Sequence, residues 1–317
     1  MGKFLIKRIL LAFVVLYIVL TVIFVLMRLV PGNPIYTIMA DADHMTQEEL
    51  QYYKEMYGLD GTIFEQYVKY MRNILKLDFG KSLLNQKPVF QNIIEKMDAT
   101  LVITIYSTLI SLIIGIPLGI FSATHRNSFL DYFLSSLSMV IVCIPSFCVG
   151  IGLLYVFAFK LQWFPLFGYR PMAKYGFFEC IWSVTLPSVA MGLSGAAGYA
   201  RHTRSQMLDV LNKDYIRTAR SKGMTERVIN YRHALKNVLA VMITMVAGTL
   251  VAHLGGSTVL ERVFNIKGVG LLAYSSLTSS DYTQEQAILL FFAAIFVFVN
   301  IILDIVYKAL DPRIDLQ

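Results

Sequence analysis

The sequence is poor in charge. Only 15% of its 317 residues are Asp, Glu, Lys or Arg, whereas a soluble domain carries about 25%. With 56% hydrophobic residues and a mean hydropathy of +0.59, this deficit excludes an ordinary soluble globule and an extended disordered chain. Cysteine is scarce as well. Cys143, Cys148 and Cys180 are odd in number and lack metal-ligand spacing, so no disulfide framework or zinc site is expected. All three read as free buried thiols. His44, His125, His202 and His233 also lack the spacing of a metal site. A phosphate-binding loop is missing: Gly80-Lys81-Ser82 has the ending of one, but Leu75 stands where its first glycine belongs. Asp78-Phe79-Gly80 spells a kinase triplet without the rest of a kinase site. The chain thus has no nucleotide-hydrolysing site of its own, and no cofactor is implied. Repeats and low-complexity segments are also missing.

Long apolar runs are what the chain does have. Hydropathy places six spans, at roughly Ile9–Val30, Leu101–Ala123, Phe133–Phe159, Ile181–Ala200, Val238–Leu260 and Ala287–Leu310. The fold class is an all-α polytopic membrane protein. Its expected parts are an N-terminal segment with the first span (1–30), an insert (31–98), and a core with five further spans (99–317). The run Ile9–Met27 is longer than the ~7–15 residues of a signal-peptide core, so no cleavable signal is expected. Pro117, Pro145 and Pro187 fall inside the second, third and fourth spans and predict kinks. Gly192, Ala196 and Ala200 recur at every fourth residue and predict a close helix approach.

The net charge of +7 is concentrated in one loop. Between the fourth and fifth spans lie Arg201, Arg204, Lys213, Arg217, Arg220, Lys222, Arg227, Arg232 and Lys236, against Asp209, Asp214 and Glu226. With Lys3, Lys7 and Arg8 before the first span and His125 and Arg126 after the second, the bases fall on one side. The positive-inside rule makes that side the cytoplasm, with both termini there and the chain multi-pass in a plasma or inner membrane. Charge alone would also serve lipid headgroups. The loop carries more than charge, however. Asp214 can cap a short helix at Tyr215–Lys222, and Gly223 can end it in the left-handed region. Thr225 can cap a second helix with Val228, Tyr231 and Leu235 on one face. A helix–Gly–helix hairpin at a membrane surface is a docking device for a partner protein.

The insert 31–98 holds ten acids against seven bases and is expected outside. Pro31-Gly32 breaks the first span, Thr46 with Glu49 forms a capping box, and helical pattern continues over Phe64–Leu77. After the fifth span, Glu261, Phe264, Gly268 and Gly270 fall in a short external helix or re-entrant turn.

These residues carry a resemblance. Arg217-Thr218-Ala219, three residues and then Gly223 occupy the frame of the EAA loop of ABC-importer permeases. DYIRTARSKG followed by RHALKN resembles the peptide and nickel importer branch. Arg217 replaces the founding Glu and Lys236-Asn237 the hydrophobic-Pro ending; both departures are usual in that branch. LVPGNP, YGLDGTIFEQY and LDFGKSL resemble its external insert, which would help receive a substrate-binding protein. Glu261, Phe264, Gly268, Gly270 and the closing Asp311-Pro312-Arg313 match it too. The resemblance implies a type I ABC-importer permease fold with coupling loop 201–237. It implies that Tyr215, Arg217, Thr218, Ala219, Arg220, Lys222 and Gly223 contact a separate ATPase, with Ala219 and Gly223 allowing close approach. Arg201 and Arg204 would transmit the motion. The implied partners are a second permease, two ATP-binding subunits, an extracellular binding protein and membrane lipid, without nucleic acid. Di- or oligopeptides are the implied substrate, with nickel, metallophore complexes or glutathione as alternatives.

A rival resemblance is weaker. Gly192-Leu193-Ser194-Gly195 and His253 among small residues resemble the dyad of rhomboid intramembrane serine proteases. Rhomboids place a whole transmembrane helix between the two catalytic helices, and here only the basic loop intervenes. His253 reads as a neutral histidine hydrogen-bonded between helices, or else as a pathway-lining group; Glu261 and Phe264 are the accompanying gate candidates. Asp304 reads as an interface contact.

Overall fold

The computed structural model describes residues 2–29 and 60–310, with positions 46, 48, 51 and 55 between them. The Pro31-Gly32 break, His44, the Glu49 half of the Thr46 box and the closing Asp311-Pro312-Arg313 lie outside the described residues. The described elements are helical. They begin with α1 (Gly2–Leu29), α2 (Ile63–Leu75), α3 (Val89–Thr124), α4 (Phe129–Cys143) and α5 (Ser146–Leu153, continued by π-helical turns Leu154–Lys160). There follow α6 (Met172–Tyr175), α7 (Phe177–Leu211), α8 (Asp214–Ser221) and α9 (Glu226–Val228, continued by π-helical turns Ile229–Ala234). The chain ends with α10 (Leu235–Val263), α11 (Val269–Thr278) and α12 (Tyr282–Leu310). Among the described residues, five helices are long and apolar enough to cross a membrane, or six if α4 and α5 form one broken span.

That break corrects the expected third span. Pro145 does more than kink it: α4 and α5 meet at 94°. Ile144, the residue before the proline, is extended at φ −86° and ψ 121°, which its steric clash with the ring favours over the helical region. Helices α3 and α7, in contrast, run on through Pro117 and Pro187. The cysteine expectation is corrected as well. Cys180 is buried, whereas Cys143 and Cys148 are free and exposed.

Contacts divide the chain into two units, Met1–Asp98 with Gly268–Phe298, and Ala99–Lys267 with Val299–Gln317. The first of these units takes in α11 and the first part of α12. In the first unit, Ile23 and Met27 pack on Tyr282, and Val89 and Ile93 pack on Val269, Ala287 and Ile288. Helix α2 starts with a capping box at Thr62 and Glu65, whose carboxyl those bonds hold below the usual carboxylate range. Asp281 caps α12 through the Gln284 N–H at 3.1 Å and accepts the Ser82 hydroxyl at 2.6 Å. Ser82 of the Gly-Lys-Ser string is therefore a structural donor.

The second unit is built around α7. Its small residues meet α3 as expected: a Cβ at Gly192 would lie 2.7 Å from Ile110, and one at Gly115 would lie 2.6 Å from the Ala196 carbonyl. Any larger residue would force these two helices apart.

Candidate functional site

The basic hairpin begins where Asn212 ends α7. Lys213 takes the cap position of α8, and Asp214 is the first helical residue, so the helix begins one place earlier than expected. There its carboxylate faces the positive end of the helix, 3.5 Å from Arg217. The helix ends in a Schellman motif: the Met224 N–H reaches the Ala219 carbonyl at 3.3 Å and the Gly223 N–H reaches that of Arg220 at 2.9 Å. Gly223 stands at φ +75°, the conformation the motif requires and glycine adopts without a Cβ penalty.

One face of α8 is inward. Ile216 and Ala219 are buried against Ile229 and Leu211. Ala219 therefore closes the hairpin on itself. Tyr215, Arg217, Thr218, Lys222 and Gly223 are exposed. Arg220 is exposed but engaged: it donates to both carboxylate oxygens of Glu226, at 2.8 and 3.2 Å. This bond across the glycine turn holds the Glu226 carboxyl below its usual range and raises Arg220. The Tyr215 hydroxyl accepts from the Asn237 amide at 2.9 Å and ties the two limbs together.

The second limb departs from expectation. Thr225 sits at the cap position, but its hydroxyl makes no cap bond. Val228 and Tyr231 are exposed, and the inward residues are Ile229, Ala234 and Val238. The π-helical turns explain the change. They widen the repeat from Ile229 to Ala234 to five residues, so a face drawn at α-helical spacing falls out of register.

Arg204 projects from α7 and forms a bidentate pair with Asp131, at 2.6 and 2.7 Å. Asp131 is 1% exposed and also accepts the Ser122 hydroxyl and, at 3.0 Å, the Asn127 N–H. This pair fastens α7 to the start of α4. Arg201, one turn earlier, is exposed. Sequence reasoning missed Asp131, although Ser128 and Asp131 spell a helix-start signal before an apolar run. Ser128 does cap α4, bonding the Asp131 N–H at 3.1 Å.

The intramembrane candidates lie in a polar seam. Thr100, Thr104, Ser107, Thr108 and Ser111 share one buried face of α3, as their helical spacing allows. Ser107 and Thr108 each stand 3.0 Å from Nδ1 of the buried His253 on α10. Glu261 is fully buried and accepts from Thr100 at 2.7 Å and Ser257 at 3.0 Å. Phe264 is 3% exposed and packs in the apolar core with Leu260 and Ile266. His253 is thus bonded between helices, and its hydroxyl partners are Ser107 and Thr108 rather than Ser194.

Comparisons with known proteins show the family. Residues 115–316 match the model of the family described as binding-protein-dependent transport system inner membrane component. Residues 1–104 match that family's N-terminal model. The chain is 35% identical over 317 residues to the oligopeptide transport system permease protein AppB of Bacillus subtilis, covering 99% of this chain and 100% of that one. It is 33% identical over 315 residues to the glutathione transport system permease protein GsiC of Escherichia coli K12, covering 99% of each. Its fold is similar to that of a chain in inward-facing crystal structures of the MetNI methionine ABC transporter. The TM-score is 0.60 at 17% identity, over 71% of this chain and 99% of that one. The chain belongs to the family of binding-protein-dependent transport system inner membrane components, and is a multi-pass transport subunit rather than an enzyme.

Proposed function

We propose that this subunit forms half of the pathway of an ATP-driven importer for di- or oligopeptides. A transport subunit of this family works with partners that hydrolyse ATP. The finer composition proposed here is one homologous second permease, two ATP-binding subunits and an extracellular binding protein. Both termini and the hairpin 214–238 face the cytoplasm, as the clustered bases favour. The observation that carries the docking assignment is the hairpin itself, closed by Ile216, Ala219 and Ile229 and presenting Tyr215, Arg217, Thr218 and Lys222 outward.

Each residue then has a role. Arg217 and Lys222 meet acidic groups of the ATPase, and Gly223 allows the turn to approach it. Ala219 and Arg220 keep the hairpin rigid. Arg204 carries hairpin motion from α7 to α4 through Asp131, with Arg201 beside it. ATP binding draws the two hairpins of a permease pair together and opens the pathway outward, and hydrolysis returns it inward. This is a two-state rearrangement biased by ATP on one side and by the loaded binding protein on the other. His253, Glu261 and Phe264 serve as interior packing and hydrogen bonding in the conformation described.

The relation to AppB over the full chain supports peptides; the nearly equal relation to GsiC supports glutathione as a second reading. The test is uptake of a labelled tripeptide and of glutathione by the reconstituted assembly, with wild type and Gly223→Pro. Peptide uptake that the substitution abolishes, while the subunit still inserts, supports the proposal. Glutathione uptake alone selects the second reading, and uptake of neither, or full activity in the variant, contradicts both.

A further inference from the structure

The first unit contains a cavity of ≈ 550 Å³ that the transport reading does not use. Arg28, one residue from the end of the apolar span Ile6–Leu29, lines it, as do Tyr282 and Gln286 at the start of the span Tyr282–Ile305. Two span ends on one side of the membrane set the cavity at the level of lipid headgroups. The cavity is cationic. Arg28 and Lys81 have no carboxylate partner among the described residues, while Lys69 is paired with Asp60 at 3.2 Å and Asp78 is held by the Gly80 N–H at 3.0 Å. The Arg28 Nε donates to Gln66 at 2.9 Å, and its guanidinium lies over the Phe24 ring, 4.8 Å from the centroid.

Two buried polar groups at this cavity also lack a partner among the described residues. They are the Tyr70 hydroxyl and the amide nitrogen of Gln286, a residue only 7% exposed. A buried donor without an acceptor costs about 1–3 kcal/mol, so a bound acceptor would be stabilising here. Burial raises the Tyr70 hydroxyl above its ordinary range, so it stays protonated and can donate. Two cations and two idle donors around one space call for an anion with several oxygens. Helix α2, which forms one wall, exposes Ile63, Phe64 and Val68, the arrangement of a helix lying in the membrane interface.

We propose that this cavity binds the phosphate headgroup of an anionic phospholipid. Arg28 and Lys81 neutralise the phosphate, and Tyr70 and Gln286 donate to its oxygens.

Native mass spectrometry of the assembled transporter, released from micelles containing phosphatidylglycerol or phosphatidylcholine, tests the assignment. One phosphatidylglycerol retained per chain in preference to phosphatidylcholine is expected. Lys81→Gln should weaken retention about fivefold, and Arg28→Gln with Lys81→Gln about 25-fold. Lys81 is exposed, so the single variant stays informative even if the double variant does not fold. Equal retention of the two lipids, or retention unchanged by Lys81→Gln, overturns the proposal. Displacement of the lipid by inorganic phosphate at equal concentration marks a free-anion site and overturns the lipid assignment.

Discussion

The basic hairpin and the polar seam of α3 and α10 both hold polar groups, but they use them in opposite ways. In the hairpin, Arg217, Thr218 and Lys222 are exposed, and its ion pairs are wet. In the seam, His253 and Glu261 are buried and meet hydroxyls. A buried ionisable group with fixed partners holds helices in register. An exposed base whose own partner is solvated or missing is open to a second protein. On the proposed function, recognition belongs to the hairpin and cohesion to the seam, with the Asp131–Arg204 pair between them in character.

Four variants would break or sharpen this contrast. Gly223→Pro has the largest effect. Proline cannot adopt φ +75° and removes the N–H bonded to Arg220, at a local cost of about 3 kcal/mol or more. Uptake should vanish while membrane insertion, read by fractionation, persists. Asp131→Asn comes next. It leaves Arg204 without its charge partner and should lower thermal stability of the purified subunit by about 3 kcal/mol, with uptake reduced in parallel. Equal stability with and without Asp131 would place the pair with the wet ones.

The pair Ser107→Ala and Thr108→Val tests the seam. It leaves Nδ1 of His253 without hydroxyl partners, for about 2 kcal/mol of stability, yet uptake per folded molecule should stay unchanged. Loss of uptake at full stability would give the seam a direct transport role. The smallest effect is that of Glu226→Gln, below about 1 kcal/mol because the pair is solvated. Glu226 is depressed when folded, so its contribution is present above the unfolded value of about 4.3 and is lost as pH falls below it. A hydrogen-exchange profile of the hairpin across that window should loosen in wild type and stay flat in the variant.

Much of this was readable in the sequence because it is local. Apolar runs give the spans, and Gly223 announces its left-handed turn by being the residue that tolerates it. The small residues of α7 mark the close approach of α3. Other features escaped because their cause is distant or conformational. Asp131 finds Arg204 across 73 residues, and Glu261 finds Thr100 across 161. The π-helical turns at 229–234 shift the second limb by a residue, and no periodicity in the chain records that shift. Pro145 signals a kink in the third span, but the sequence does not give its 94° angle.

Site-directed photo-crosslinking in the assembled transporter tests the central claim most directly. A photoreactive residue at Arg217 or Lys222 should capture an ATP-hydrolysing subunit, and one at the exposed Arg170, in the loop between α5 and α6, should not. An assembly that transports while positions 217 and 222 capture no such subunit would contradict the account.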